Sequence, residues 1–288
     1  MPSTTTTAPD PGDDRLVFSE DFADDDSLDR FETGIFHRDD WVVTETSWLG
    51  DHRTTGPNDT CSSPMEKRTI ERGDRAQGFT HDWIYRCRPG GDAAKAHLMT
   101  SIGDTSGYSI GAFSPTQTFR NVTEVRWEVN ITDLGSRQFP EVKLIPVDTF
   151  DVEDMPCSIE WLPCNTSSHA ELGSVGTSFF HAEPAINTGT GFVKGDDWDA
   201  GWRDTAGDPA RQSFVTRRQH FFRDNGDGTL TFGVEKEDGT FETVSTPGAF
   251  PSGDVRVVFA DHNYTPRKDL PTNATFTWHW DDIQIFAR

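Results

Sequence analysis

Glu128, Glu141 and Glu160 are the carboxylates best suited to proton chemistry in this chain, with Arg126 and Lys143 as the cations beside them. Four of the five fall within residues 123–146, TEVRWEVNITDLGSRQFPEVKLIP. There Val125, Trp127, Val129 and Ile131 alternate with Glu124, Arg126, Glu128 and Asn130, the period-2 signature of a half-buried strand. Residues 141–145 repeat the pattern, with Val142 and Leu144 on one side and Glu141 and Lys143 on the other. If the two strands pair, four or five charges stand on one sheet surface. Opposed acids raise each other's pKa, so one residue type supplies both an acid and a base. Arg126 and Lys143 can neutralise a uronate, polarise a carbonyl or hold sugar hydroxyls. The plainer reading of the same residues is a solvated face with weak cross-strand ion pairs.

Other side chains extend this chemistry. His97 and His220 are candidate positioning groups on predicted strands. The runs Arg217-Arg218-Gln219-His220 and His262-Asn263-Tyr264 hold what a β-elimination lyase needs, a carboxylate-neutralising cation and a proton acceptor. Trp161, Trp198 and Trp202 are candidate platforms for sugar rings, whereas Trp278 and Trp280 flank His279 with core spacing. Serine-nucleophile and phosphate-loop motifs are absent, and no histidine pair has metal-site spacing.

The elements that must position these groups are strands. Turn clusters of Gly, Pro, Asn and Asp recur every 8 to 15 residues without long helical periodicity, which predicts an antiparallel all-β domain. Strands are expected over 16–18, 41–44, 97–102, 108–113, 122–131, 141–146, 158–162, 176–182, 214–223, 230–236, 241–244, 255–261 and 275–286. Asn225-Gly226-Asp227-Gly228 and Asp238-Gly239 mark tight hairpin turns. Weak helix is confined to residues 28–31, and 47–78 and 187–212 read as long loops.

A chain of 288 residues fits one β-domain, residues 14–288, behind a tail of residues 1–13 expected to be a solvated linker left by a signal peptide. The formal charge of -22 excludes bulk attraction to nucleic acid or an anionic membrane, and no run approaches the ~18 apolar residues of a membrane helix. Asp outnumbers Glu 33 to 15 and Arg outnumbers Lys 20 to 6, a composition of salty environments or of secreted proteins from high-GC genomes. The four cysteines, spaced 26 and 7 apart in successive pairs, suit two local disulfides, Cys61–Cys87 and Cys157–Cys164, better than zinc. Six of eight asparagines (Asn58, Asn121, Asn130, Asn165, Asn263, Asn273) begin an Asn-x-Ser/Thr triplet. A secreted, monomeric protein is expected.

Three segments resemble the concanavalin A-like lectins and glucanases, nearest to the family 16 glycoside hydrolases of the laminarinase type. Val17-Phe18-Ser19-Glu20-Asp21-Phe22 with Leu28-Asp29-Arg30-Phe31 resembles the opening strand. Val125-Arg126-Trp127-Glu128-Val129 and Phe139-Pro140-Glu141-Val142-Lys143-Leu144-Ile145-Pro146 resemble its concave strands, and Trp280-Asp281-Asp282-Ile283-Gln284-Ile285 its closing strand. The resemblance implies a two-sheet antiparallel β-sandwich, a jelly roll, with an oligosaccharide or polysaccharide in its groove. It implies a glycan-degrading enzyme, with a non-catalytic lectin-like module and a polysaccharide lyase as alternatives. The family's Glu-x-Asp-x-x-Glu motif is missing; residues 151–161 read DVEDMPCSIEW, with Glu160 alone in a matching position. A structural Ca²⁺ tying first strand to last would use Glu20 and Asp282.

Overall fold

The computed structural model describes residues 14–22, 30–39, 42–51, 66–70, 80–87, 96–103, 107–132, 138–150, 168–174, 182–187, 192–194, 218–235, 239–265 and 275–288. Eighteen strands form among them. In chain order they begin β1 (Arg15–Glu20), β2 (Phe31–Asp39), β3 (Val42–Asp51), β4 (Glu66–Ile70), β5 (Thr80–Cys87), β6 (Ala96–Gly103), β7 (Gly107–Pro115), β8 (Phe119–Arg120) and β9 (Val122–Thr132). They continue as β10 (Gln138–Pro146), β11 (Ser168–Ser174), β12 (Ala182–Asn187), β13 (Phe192–Lys194), β14 (Arg218–Asp224), β15 (Thr229–Glu235), β16 (Phe241–Pro247), β17 (Asp254–Thr265) and β18 (Thr275–Ala287).

The strands make two antiparallel sheets. The first runs β16-β15-β14-β9-β18-β6-β5-β4 with β1 also on β18; the second runs β13-β12-β11-β10-β17-β7-β2-β3 with β8 on β17. The chain repeatedly changes sheet, from β6 to β7, β9 to β10 and β17 to β18, which is the interleaving of a jelly roll. The all-β, two-sheet antiparallel sandwich expected from the sequence is therefore the fold observed.

Alternation decides what lies between the sheets. Val125, Trp127 and Val129 of β9 meet Val142 and Leu144 of β10 in one core, with Phe232, Phe259, Trp280, Ile283 and Ile285. Phe113 stacks on Phe259, its partner in the second sheet, at 5.1 Å and bridges the layers by meeting Trp280 of the first sheet edge-on at 5.4 Å. Each such side chain, fully buried, contributes about 1.5–3 kcal/mol.

Three expectations change here. β9 and β10 do not pair; β9 lies between β14 and β18, and β10 between β11 and β17. They belong to different sheets although only five residues of sequence separate them. Also, Phe31 opens β2 where weak helix was expected, and β4 and β13 lie inside the stretches read as long loops.

The hairpin turns form where glycine was expected to permit them. Gly226 and Gly228 take φ of 74° and 87°, and Gly239 takes 77°, left-handed values that cost glycine little. The Asp224 and Asp227 carboxylates accept from the Gly226 and Thr229 N–H groups at 2.9 and 3.0 Å and fix the first turn.

Candidate functional site

Seen from outside the first sheet, β14, β9 and β18 present a small grid of side chains. Register sets Phe221, Arg126 and Gln284 in one row and Gln219, Glu128 and Asp281 in the next. A third row holds Arg223, Glu124 and Phe286. All lie opposite the core residues of the same strands, because side chains alternate.

The rows brace one another. Glu124, with a side chain 1% exposed, is bonded by both Arg126 and Arg223. The Arg126 guanidinium lies 5.0 Å over the Phe286 ring and that of Arg223 lies 5.4 Å over Phe221. Each cation is thus held by a shared carboxylate and an aromatic face, which fixes its plane. Phe221 in turn covers Gly233, where a Cβ would fall 2.2 Å from the ring, and meets Phe241 at 5.3 Å.

Between these groups lies a cleft of about 260 Å³, lined by Arg126, Glu128, Gln219, Phe221, Phe241, Asp282 and Gln284. Trp127 and His220 border it from the strands, while their rings stack at 5.4 Å on the core side. The cleft offers guanidinium and amide donors, carboxylate and amide acceptors, and two phenyl rings within one small volume. That combination suits a polyhydroxylated ring, whose hydroxyls both donate and accept and whose C–H face packs on aromatics.

The acidic edge of the cleft comes from an irregularity in β18. Asp281 pairs with Glu128, but the next regular pair is Gln284 with Arg126, so Asp282 and Ile283 together oppose Trp127. This is a β-bulge, with Asp282 at φ 44°. Simple alternation would send Asp282 toward the core; the bulge lets Asp281 and Asp282 share the outer side with Glu128. Carboxylate oxygens from the three lie within 4.8 Å of one another. The bulge also sits where β18 changes neighbour, from β6, ending at Trp280 with Leu98, to β1, beginning at Ile283 with Glu20. Three hard oxygen donors at this spacing could coordinate a metal ion.

Glu20 is not part of that cluster. Its carboxylate accepts from the Phe22 N–H at 2.6 Å and pairs with Arg30 at 2.8 Å, tying the end of β1 to the start of β2. The expected pairing of Glu20 with Asp282 around one ion gives way to Asp282 with Asp281 and Glu128.

Among the other expected site residues, Glu141 and Lys143 are fully buried and paired at 3.1 Å on the second sheet, across the core from Glu128. Glu128 and Glu141 therefore cannot act as an acid and base on one substrate. His220, 2% exposed, stacks on Trp127 and Phe232 inside the sandwich and is a core residue. His97 takes a backbone position on β6, opposite Arg86 and one residue before Leu98. Glu160, Trp161, Trp198 and Trp202 lie outside the described residues, as do Cys61, Cys157 and Cys164.

No protein-family model matches this chain, and no curated protein matches it. Solved structures do. It is similar to arcelin-5, a lectin-like defense protein from Phaseolus vulgaris, at 10% identity and a TM-score of 0.44, over 78% of this chain and 100% of that one. The basic winged bean lectin with Tn-antigen gives 12% identity and 0.45, over 78% and 99%. A GlcNAcα1-4Gal-releasing endo-β-galactosidase from Clostridium perfringens gives 11% and 0.45, over 98% of this chain and 65% of that one.

Of the residues singled out in the sequence, Arg126, Glu128, Gln219 and Asp282 line this cleft and Asp281 stands at its edge, whereas Phe221, Phe241 and Gln284 were not singled out. Two signals for the site existed. In Arg218–Asp224, Gln219, Phe221 and Arg223 share one face by alternation, so an aromatic there stands among polar neighbours. In β18 two consecutive carboxylates interrupt a strict alternation, and only a bulge keeps both out of the core.

Proposed function

We propose that this protein is a carbohydrate-binding module whose sugar site is the cleft of Arg126, Glu128, Gln219, Gln284 and Asp282 over Phe221 and Phe241. The observation that carries the reading is the cleft itself: donors and acceptors fixed by register around two contacting phenyl rings. Gln219 and Gln284 offer amide groups to adjacent hydroxyls, and Glu128 accepts from a vicinal pair. The Phe221–Phe241 pair takes the apolar face of the ring. A cation of the calcium class, bound through Glu128, Asp281 and Asp282, belongs to the same reading, since such an ion takes oxygen ligands from protein and hydroxyls alike. An extracellular setting is part of it too, supported by the cysteine pairs and the Asn-x-Ser/Thr triplets.

The test is binding of immobilised neutral oligosaccharides, with and without calcium, followed by calorimetry on the best ligand. Phe241→Ala and Gln219→Ala are each expected to weaken binding about tenfold, a loss of ~1.4 kcal/mol. Unchanged affinity in both, or no glycan bound by the intact protein, would refute the assignment.

A further inference from the structure

Asn121, Asn130 and Asn263 are the described asparagines that open Asn-x-Ser/Thr triplets, and they occupy very different places. Asn130 is on β9, paired with His279 of β18, and Asn263 is on β17, held between Gln138 and Ser109. Both sit within central strands. Asn121 instead forms the exposed turn between β8 and β9, at φ 55°, with its carbonyl accepting from the Arg288 N–H at 3.2 Å.

The turn alone explains the asparagine, since Asn tolerates the left-handed region. It does not explain Thr123. Thr123 is 5% exposed, and its hydroxyl is buried with no hydrogen-bond partner among the described residues. Burying an unpaired hydroxyl is unfavourable, and valine offers the same shape and the same preference for strands without that cost. Packing therefore gives no reason for the hydroxyl. A reason exists before folding: the Thr hydroxyl two residues after Asn is what marks the chain as an acceptor for an N-linked glycan.

We propose that Asn121 is an N-glycosylation site, modified before β9 packs into the first sheet. The donor is a glycan linked to a lipid phosphate or pyrophosphate. The Asn121 Nδ2 forms a bond to the anomeric carbon, and the bond from that carbon to the phosphate oxygen breaks. The lipid phosphate leaves with the electron pair, and the amide proton passes to a base of the transferase. Since folding hides Thr123, transfer precedes it, and the chain reaches a glycosylating compartment unfolded. The attachment point is set back from the cleft: Asn121 lies five positions before Arg126, the lining residue of β9 nearest to it in sequence, about 16 Å of strand at ~3.3 Å per residue.

The test starts from protein purified from its native source. Trypsin cuts after Arg120 and Arg126, so the peptide of residues 121–126 reports this site alone. Mass spectrometry with electron-transfer fragmentation is expected to find a glycan on Asn121; recovery of that peptide only in unmodified form overturns the proposal. In the same host, Thr123→Ser is expected to stay occupied and Thr123→Val to lose the glycan. Enzymatically deglycosylated wild type and Thr123→Val should melt at the same temperature or with the variant higher. A glycan that persists in Thr123→Val, or a variant that melts several degrees lower, also overturns it, the latter by giving the hydroxyl a structural role.

Discussion

Glu128 stands directly across from Asp281 between the two central strands of the first sheet, and immediately past that pair the ladder slips by a residue. The slip is what gives the cleft its acidic edge. It collects three carboxylates that a regular strand would split between the two faces, and it does so where β1 replaces β6 beside β18. An ion bound there would connect β9, the last strand and the cleft.

Calcium should therefore stabilise the fold through this edge. At a hundredfold excess over Kd a bound ion contributes ~2.7 kcal/mol, and for a chain of this size Tm moves ~2–4 °C per kcal/mol. A rise of about 5–10 °C is expected for the wild type by differential scanning fluorimetry, reversed by a chelator. Asp282→Asn should lose most of the shift, and Glu20→Gln should keep it while lowering Tm in both conditions, because Glu20 serves Phe22 and Arg30. Equal shifts in wild type and Asp282→Asn would exclude the cluster as the ion's site.

Glu124 is the keystone of the neighbouring row. Replacing it with glutamine leaves two guanidinium groups without their shared carboxylate. Breaking a buried ion pair from one side costs about 3–5 kcal/mol, and the lower figure applies because Arg126 and Arg223 keep 27% and 13% of their side chains exposed. Urea unfolding of Glu124→Gln should show a loss of about 3 kcal/mol. Sugar binding should also weaken, since Arg126 loses the contact that fixes its plane at the cleft.

Gly233 has a similar hold on the aromatic wall. A Cβ at this position would fall 2.2 Å from the Phe221 ring, so Gly233→Ala must displace that ring. Overpacking of this kind costs ~1–3 kcal/mol. The variant should unfold earlier and lose glycan affinity together, whereas Gly239→Ala, with open space around the Cβ but φ at 77°, should lose stability alone. Parallel urea and calorimetric titrations separate the two outcomes.

How far the sequence could be read depended on what each pattern encodes. Alternation in β9 correctly assigned Trp127 to the core and Glu128 to the outside, because it reports the face of a residue. It carries no information on which strand lies alongside, so β9 and β10, near in sequence, were expected to pair and instead belong to different sheets. The charges of β10 misled for a related reason. Glu141 and Lys143 alternate with Val142 and Leu144 as a solvated face would, but all four are buried. Asp282 was singled out beside Glu20, whereas the bulge, which has no regular period, sets it with Asp281 and Glu128.

That burial sets up a last prediction. Glu141 and Lys143 are both 0% exposed and 3.1 Å apart, so each neutralises a charge that the other leaves out of water. Lys143→Met strands the carboxylate and should cost about 3–5 kcal/mol in urea unfolding; Glu141→Gln should cost a comparable amount by stranding the ammonium. Replacing both, Glu141→Gln with Lys143→Met, removes the two desolvated charges at once and should recover most of the loss, since such pairs exchanged for neutral side chains of like size come out near neutral. The coupling is read as a double-mutant cycle. Strong coupling with undiminished glycan binding in the double variant assigns the pair to the fold and leaves recognition to the cleft on the first sheet. Additive losses would mean that each side chain has its principal partner elsewhere on the second sheet, where Glu171 and His169 are the register neighbours.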